Sequence, residues 1–225
     1  MLRPIKLKIC GVTRPEDVKL LDGVVDYLGF IVSSGRVTGR VLEHLKAREL
    51  ASITSKSCPV LVIHGYSAGN ALKIAEKLGV FKVVQYHSTA QAAELEDLVR
   101  GLSSLGIRLA PVIFWGHKGW VGLKPRELPG NVSRLAEYVL IDAVKGTRRV
   151  YEYGLRVPLA IYHEATSYHP RIAAAGGITA LNVCSVASVG VYMVDVSSGV
   201  ESEPGVKDPD KVSEFIEVFR KCRGA

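Results

Sequence analysis

The chain has 225 residues, 48% of them hydrophobic and 23% charged, proportions of a folded globular protein that exclude intrinsic disorder. This length suits one α/β domain spanning residues 1–225, large enough to bury a sizeable core. The formal net charge of +7 is spread along the chain without a basic block, which argues against nucleic acid as a partner, and no run approaches the roughly 18 apolar residues of a membrane span.

MLRPIKLKIC at the N-terminus mixes charge into its apolar residues and lacks a small-residue cleavage site. It does not read as a signal peptide, so a cytoplasmic location is the expectation. The first β-rich run is IKLKIC (5–10), and Thr13 with Glu16 spells a T-x-x-E capping box that predicts a helix directly after Cys10. YLGFIV (27–32) is the second run, followed by a helical pattern in VLEHLKARELASI (41–53). VLVIH (60–64) and KVVQYH (82–87) alternate with helices over NALKIAEKLG (70–79) and AQAAELEDLVRGL (90–102), whose apolar residues recur every three or four positions. LAPVIFW (109–115) is the fifth run.

From 116 to 138 there are too many Gly and Pro residues for a long helix, and only SRLAEY (133–138) suits one. YVLID (138–142) is the sixth run. Residues 144–170 admit a helix, or LAIYH (159–163) reads as an extra strand or as the true seventh in place of RIAAAG (171–176). VYMVDV (191–196) is the eighth run. In the last helix Asp208 caps, Pro209 suits the first turn, and Val212, Phe215, Ile216 and Phe219 share one apolar face.

Eight β-rich runs, each followed by turn residues and mostly by a helix, predict a single closed (β/α)8 TIM barrel with irregular connections around strands 5 to 7. In such a barrel chemistry sits at the strand C-termini, which makes candidates of Cys10, Arg36, His64, His87, Asp142, Gly176, Gly177, Asp195 and Ser197. AAGGIT (174–179) ends a strand with two glycines and leads into a capped helix. VDVSSGVE (194–201) turns through Ser197, Ser198 and Gly199. Either is an ordinary tight turn by itself, but together, after strands 7 and 8, they suit a phosphate group.

A thiolate at Cys10 takes a proton from carbon, and a protonated Asp142 gives one to oxygen, if each pKa is moved toward neutrality. The bland readings are a small core cysteine at 10 and, at 142, a loop carboxylate that caps a helix or pairs with Lys145 or Arg148. The other histidines, 44, 117, 163 and 169, suit helix surfaces or loops, and no His or Cys spacing marks a metal site. The four cysteines, 10, 58, 184 and 222, form no C-x-x-C pair and are expected to be reduced.

KICGVT (8–13) followed by Glu-Asp, YLGFIV, VVQYH, Asp142, AAGGIT and VDVSSGVESEPGVKD (194–208) resemble the phosphoribosylanthranilate isomerase family of tryptophan biosynthesis. The resemblance implies an Amadori rearrangement of N-(5'-phosphoribosyl)anthranilate to 1-(2-carboxyphenylamino)-1-deoxyribulose 5-phosphate, without a cofactor. By position it implies Cys10 as general base, Asp142 as general acid and Arg36 as the ligand of the substrate carboxylate. It also places His87, Gly176, Gly177, Asp195, Ser197, Ser198 and Gly199 against the substrate. The expected partner is a small phosphorylated molecule, with no nucleic acid or membrane, and the protein is a monomer or a homodimer.

Two loops depart from the family pattern. The segment after strand 2, GFIVSSGRVTGR, is short and glycine-rich, so Arg40 competes with Arg36 for the carboxylate, and VKGTRRVYEYG follows the strand 6 aspartate. These departures keep two alternatives open: another sugar-phosphate isomerase or epimerase on the same barrel, and an inactive barrel that binds a phosphorylated ligand.

Overall fold

The computed structural model describes residues 4–35, 38–146 and 149–222. Eight parallel strands form the barrel: β1 (Lys6–Cys10), β2 (Tyr27–Ser33), β3 (Cys58–His64), β4 (Val83–His87), β5 (Arg108–Gly116), β6 (Val139–Ala143), β7 (Ile172–Ala174) and β8 (Met193–Val196). The ladder runs β4-β3-β2-β1-β8-β7-β6-β5 and closes through β4 against β5. RIAAAG therefore holds the seventh strand. The helices are α1 (Pro15–Leu21), α2 (His44–Ser52), α3 (Ala68–Leu78), α4 (Ala92–Ser104), α5 (Gly130–Leu135), α6 (Leu159–Thr166), α7 (Val183–Ser188) and α8 (Pro209–Cys222). LAIYH is thus the body of α6. Among the described residues no helix is long and apolar enough to cross a membrane.

Period-two alternation divides each strand between two cores. On β1, Leu7 and Ile9 pack outward under the helices. Cys10 points inward, into an apolar barrel interior that includes Val62, Val112, Leu140 and Met193. Lys8 lies between these positions on the inward face, and it is wholly buried.

The connections around β5 to β7 are irregular, as expected. β5 runs on to Gly116 and folds back as a three-residue antiparallel strand, Gly119–Val121, which sets Trp115 opposite Trp120 with the rings edge to face. This hairpin has no counterpart in the sequence reading. The one-turn α5 takes in only the start of SRLAEY, because Tyr138 is drawn into the barrel interior.

Three expectations need correction. The Thr13–Glu16 capping box does not form: helix α1 is preceded by Arg14 without a side-chain cap, and the Thr13 hydroxyl donates instead to the Gly205 carbonyl at 2.5 Å. The helix after AAGGIT begins only at Val183, so a turn rather than a helix follows the two glycines. Cys184 and Cys222 are disulfide-bonded, with their Cα atoms 5.3 Å apart, because α7 and α8 lie side by side outside the barrel. Cys10 and Cys58 are free thiols, as expected. At the C-terminus, Asp208 accepts from the amides of Asp210 and Lys211, and the four predicted apolar residues of α8 are buried.

Candidate active site

A cavity of about 430 Å3 opens at the strand C-termini. It gathers Cys10 from β1, His64 from β3, His87 from β4, Asp142 from β6, and Asp195 from β8, with Gly176, Gly177, Ser197 and Ser198 from the following loops. Residues separated by most of the chain meet here because each ends a strand of one closed sheet. Arg36 lies outside the described residues.

Asp142 is poised as an acid. Burial raises its carboxyl, the Ala143 amide donating to Oδ1 at 2.7 Å pulls the other way, and the result is pushed up to about 7. Such a group is half protonated at neutral pH. The His87 imidazole stands 3.6 Å from Asp142 Oδ2, too far for a hydrogen bond. Burial, reinforced by the charge of Lys145, lowers His87 to about 3, so the ring is neutral and the two form no ion pair.

A hydrogen-bond chain from the barrel floor sets the His87 tautomer. The Tyr138 hydroxyl donates to Gln85 Oε1 at 2.9 Å, which turns the Gln85 amide nitrogen toward His87 Nδ1, 3.3 Å away. Nδ1 then accepts, and Nε2 carries the proton. That Nε2 has no hydrogen-bond partner among the described residues, which leaves a neutral donor at the cavity. Gln85, in VVQYH, points inward with the period of β4 and could have been read from that alternation.

The cysteine has an unusual neighbour. Lys8 Nζ donates to Asp195 Oδ2 at 2.7 Å, and neither side chain is more than 5% exposed. The same ammonium converges with the Cys10 sulfur over Gly29, where an added Cβ would stand 3.1 Å from Nζ and 2.8 Å from Sγ. Burial raises the thiol above its ordinary value while Lys8 acts against that rise. Burial also raises Asp195, again opposed by Lys8. Asp195 therefore sits beside Lys8 and Cys10, and its buried Oδ1 has no hydrogen-bond partner among the described residues. A carboxylate has no hydrogen to donate and repels a phosphate.

Loops 7 and 8 contribute Gly176, Gly177, Ser197 and Ser198 to the cavity lining. Gly176 and Gly177 both turn through positive φ, at 102° and 81°. The buried Asn182 braces this turn: its Oδ1 accepts from the Thr179 amide, and its Nδ2 donates to the carbonyls of Gly177 and Tyr153. In loop 8, Ser198–Val200 form a short 3-10 turn entered from Ser197. Gly199 stands directly behind the cavity wall, against the Ile178 carbonyl.

Arg40 lines the cavity, but its guanidinium is engaged. Nε approaches Glu201 Oε1 and Oε2 at 3.0 and 2.9 Å, and Nη2 lies 2.5 Å from Oε2. Lys207 Nζ completes the cluster, donating to Glu201 Oε1 at 2.8 Å and to the Cys10 carbonyl at 2.6 Å. Glu201 thus fastens loop 2 to loop 8 and, through Lys207, to the backbone of Cys10. Arg40 itself holds Glu201 through Nε and Nη2 while it lines the cavity. Lys8, Glu201, Lys207 and Asn182 were absent from the sequence-based candidates.

Comparison with known proteins places this geometry. The family model described as N-(5'phosphoribosyl)anthranilate (PRA) isomerase matches residues 153–218. An N-(5'-phosphoribosyl)anthranilate isomerase of Pyrobaculum islandicum is 41% identical over 218 residues, covering 97% of this chain and 99% of its own. The crystal structure of a phosphoribosyl anthranilate isomerase from Thermus thermophilus shares the fold with a TM-score of 0.76 at 24% identity, covering 96% of this chain and 99% of that one. Another such isomerase was crystallised in complex with reduced 1-(o-carboxyphenylamino)-1-deoxyribulose 5-phosphate. It has a TM-score of 0.71 at 22% identity and covers 96% of this chain and 99% of that one. The chain belongs to the N-(5'-phosphoribosyl)anthranilate isomerase family, enzymes of tryptophan biosynthesis.

Proposed function

We propose that this isomerase rearranges N-(5'-phosphoribosyl)anthranilate with Asp142 as general acid and Cys10 as general base. The observation that carries the reading is one cavity lined by both groups, with the two phosphate-type loops between them around the barrel. Asp142, near half-protonation at neutral pH, gives its proton to the furanose ring oxygen as the C1'–O bond breaks, leaving a protonated Schiff base between C1' and the anthranilate nitrogen. The Cys10 thiolate takes the C2' proton. The C–H electron pair becomes the C1'–C2' double bond, and the C1'–N pair returns to nitrogen, giving a neutral enolamine. Loss of the 2'-hydroxyl proton and gain of one at C1' complete the ketone.

The backbone of Gly176 and Gly177 and of Ser197 to Gly199 holds the phosphate, the role that amides of two late loops suit in this fold. Arg36 holds the anthranilate carboxylate. His87, through Nε2–H, and Asp195, through Oδ1, bond to substrate oxygens. A small phosphorylated molecule is the partner that this reading requires, and the analogue bound by the crystallised neighbour supports it.

The test is direct. Purified protein should consume fluorescent phosphoribosylanthranilate, whereas folded protein that leaves it unchanged would refute the assignment. Turnover of a different sugar phosphate, or binding without turnover, would favour the two alternatives named above.

A further inference from the structure

The residue that the proposed mechanism leaves unused is Lys8. A lysine with no exposed side-chain surface inside an apolar barrel costs several kcal/mol in lost hydration unless it is compensated. Its placement has an evident geometric consequence. β1 puts Lys8 and Cys10 on one face, two positions apart, and Asp195 is the residue paired with Lys8 across the β1–β8 ladder. On the other side, Cys10 pairs with Gly29 of β2. A Cβ at Gly29 would stand 2.8 Å from Cys10 Sγ and 3.1 Å from Lys8 Nζ, so the sulfur and the ammonium converge over one spot that only a missing side chain leaves open.

We propose that Lys8 is a positioning residue for the base: its buried ammonium, held by Asp195 and converging with the Cys10 sulfur over Gly29, orients the thiolate. The role rests on Cys10 being the base. Other groups face the thiol as well. Tyr138 lies on the inward face below it, Lys207 bonds its backbone carbonyl, and Asp142 and His87 line the same cavity. Of the two lysines, Lys8 is the one whose ammonium converges with the sulfur over Gly29, and it opposes the rise of the thiol more than Lys207 does. The proton lost by the thiol passes to solvent before substrate binds, and Lys8 keeps its own, so Lys8, Asp195 and the thiolate together carry one negative charge.

Two variants shift the thiol in opposite directions. Lys8→Met removes the cation, and an opposite charge at this range is worth about one to three pH units. The midpoint of Cys10 alkylation by iodoacetamide, followed by mass spectrometry of the Cys10 peptide, should rise by at least about one unit, with alkylation near neutrality slowed roughly tenfold or more. Asp195→Asn removes the competitor for Lys8 and a repelling charge, so its midpoint should fall. A lysine that merely fills the barrel predicts no shift, or the same shift in both variants, and either result overturns the proposal. If Lys8→Met does not fold, Asp195→Asn decides, and a midpoint that rises or stays fixed overturns it. Alkylation needs no substrate, so this outcome is separate from the isomerase assay.

Discussion

Asp142 is half protonated near pH 7 because burial raises its carboxyl, while burial also holds the Cys10 thiol above its ordinary range. The pair that the proposed mechanism requires, protonated Asp142 with ionised Cys10, is therefore the minority arrangement of a single proton. Below about pH 7 the acid is already protonated, and each unit of pH gives tenfold more thiolate. Above that point the gain in thiolate is cancelled by loss of the acid, and beyond the thiol pKa only the loss remains. kcat/KM should rise with unit slope to a break near pH 7, stay level, and fall only above the ordinary thiol range, with both breaks belonging to the coupled pair. Asp142→Asn should lose the break near pH 7 and roughly a hundredfold to ten-thousandfold in rate. A break that survives in this variant would show that another group supplies it.

β1 and β2 are built around the absence of a side chain at Gly29. The Cβ of Gly29→Ala would meet the Cys10 Cα at 3.1 Å as well as both polar heads. A strand backbone within a closed ladder has little room to retreat. The substitution should cost about 1–3 kcal/mol in urea unfolding, the usual range for overpacking, and should slow turnover. Unchanged stability would mean that the strands relax freely. Between loops, Gly39 lies against the Pro204 carbonyl, where a Cβ would stand 2.1 Å from the oxygen, so the short glycine-rich loop 2 is glycine-rich in order to dock on loop 8. Arg40→Met should loosen that contact and raise KM with little change in kcat, as expected of a group that does not touch the reacting atoms. Much of this layer was beyond the reach of sequence. β-rich runs with turn residues at their ends located the strands, but Lys8 was not singled out from them. The Arg40–Glu201 pair spans 161 positions and the Thr13–Gly205 bond 192, and neither has a local signature. Thr13 illustrates the cost of a local rule: its capping pattern was present, but the Gly205 carbonyl took its hydroxyl.

At the scale of the whole molecule, the repetition of eight β-rich runs was enough to read the barrel, because one closed parallel sheet buries all of them. Cys10 and Asp142 came into the site by the same argument, as ends of strands in that sheet. The disulfide did not, since a separation of 38 residues says nothing about which helices of the outer ring touch. Closing a loop of that length stabilises by roughly 4 kcal/mol in the chain-entropy account. Cys184→Ser should therefore lower Tm while leaving kcat unchanged, because α7 and α8 lie outside the barrel and away from the cavity. A fall in kcat with Tm intact would instead tie the bond to loop 7.

The central claim is that Cys10 removes the C2' proton in this cavity. Turnover of phosphoribosylanthranilate by Cys10→Ala, measured beside the variant's affinity for a reduced product analogue, tests it most directly. The account predicts a loss of at least about a hundredfold in kcat, in the range for a missing general base, with affinity nearly unchanged. A folded Cys10→Ala protein that turns over substrate at the wild-type rate would contradict it.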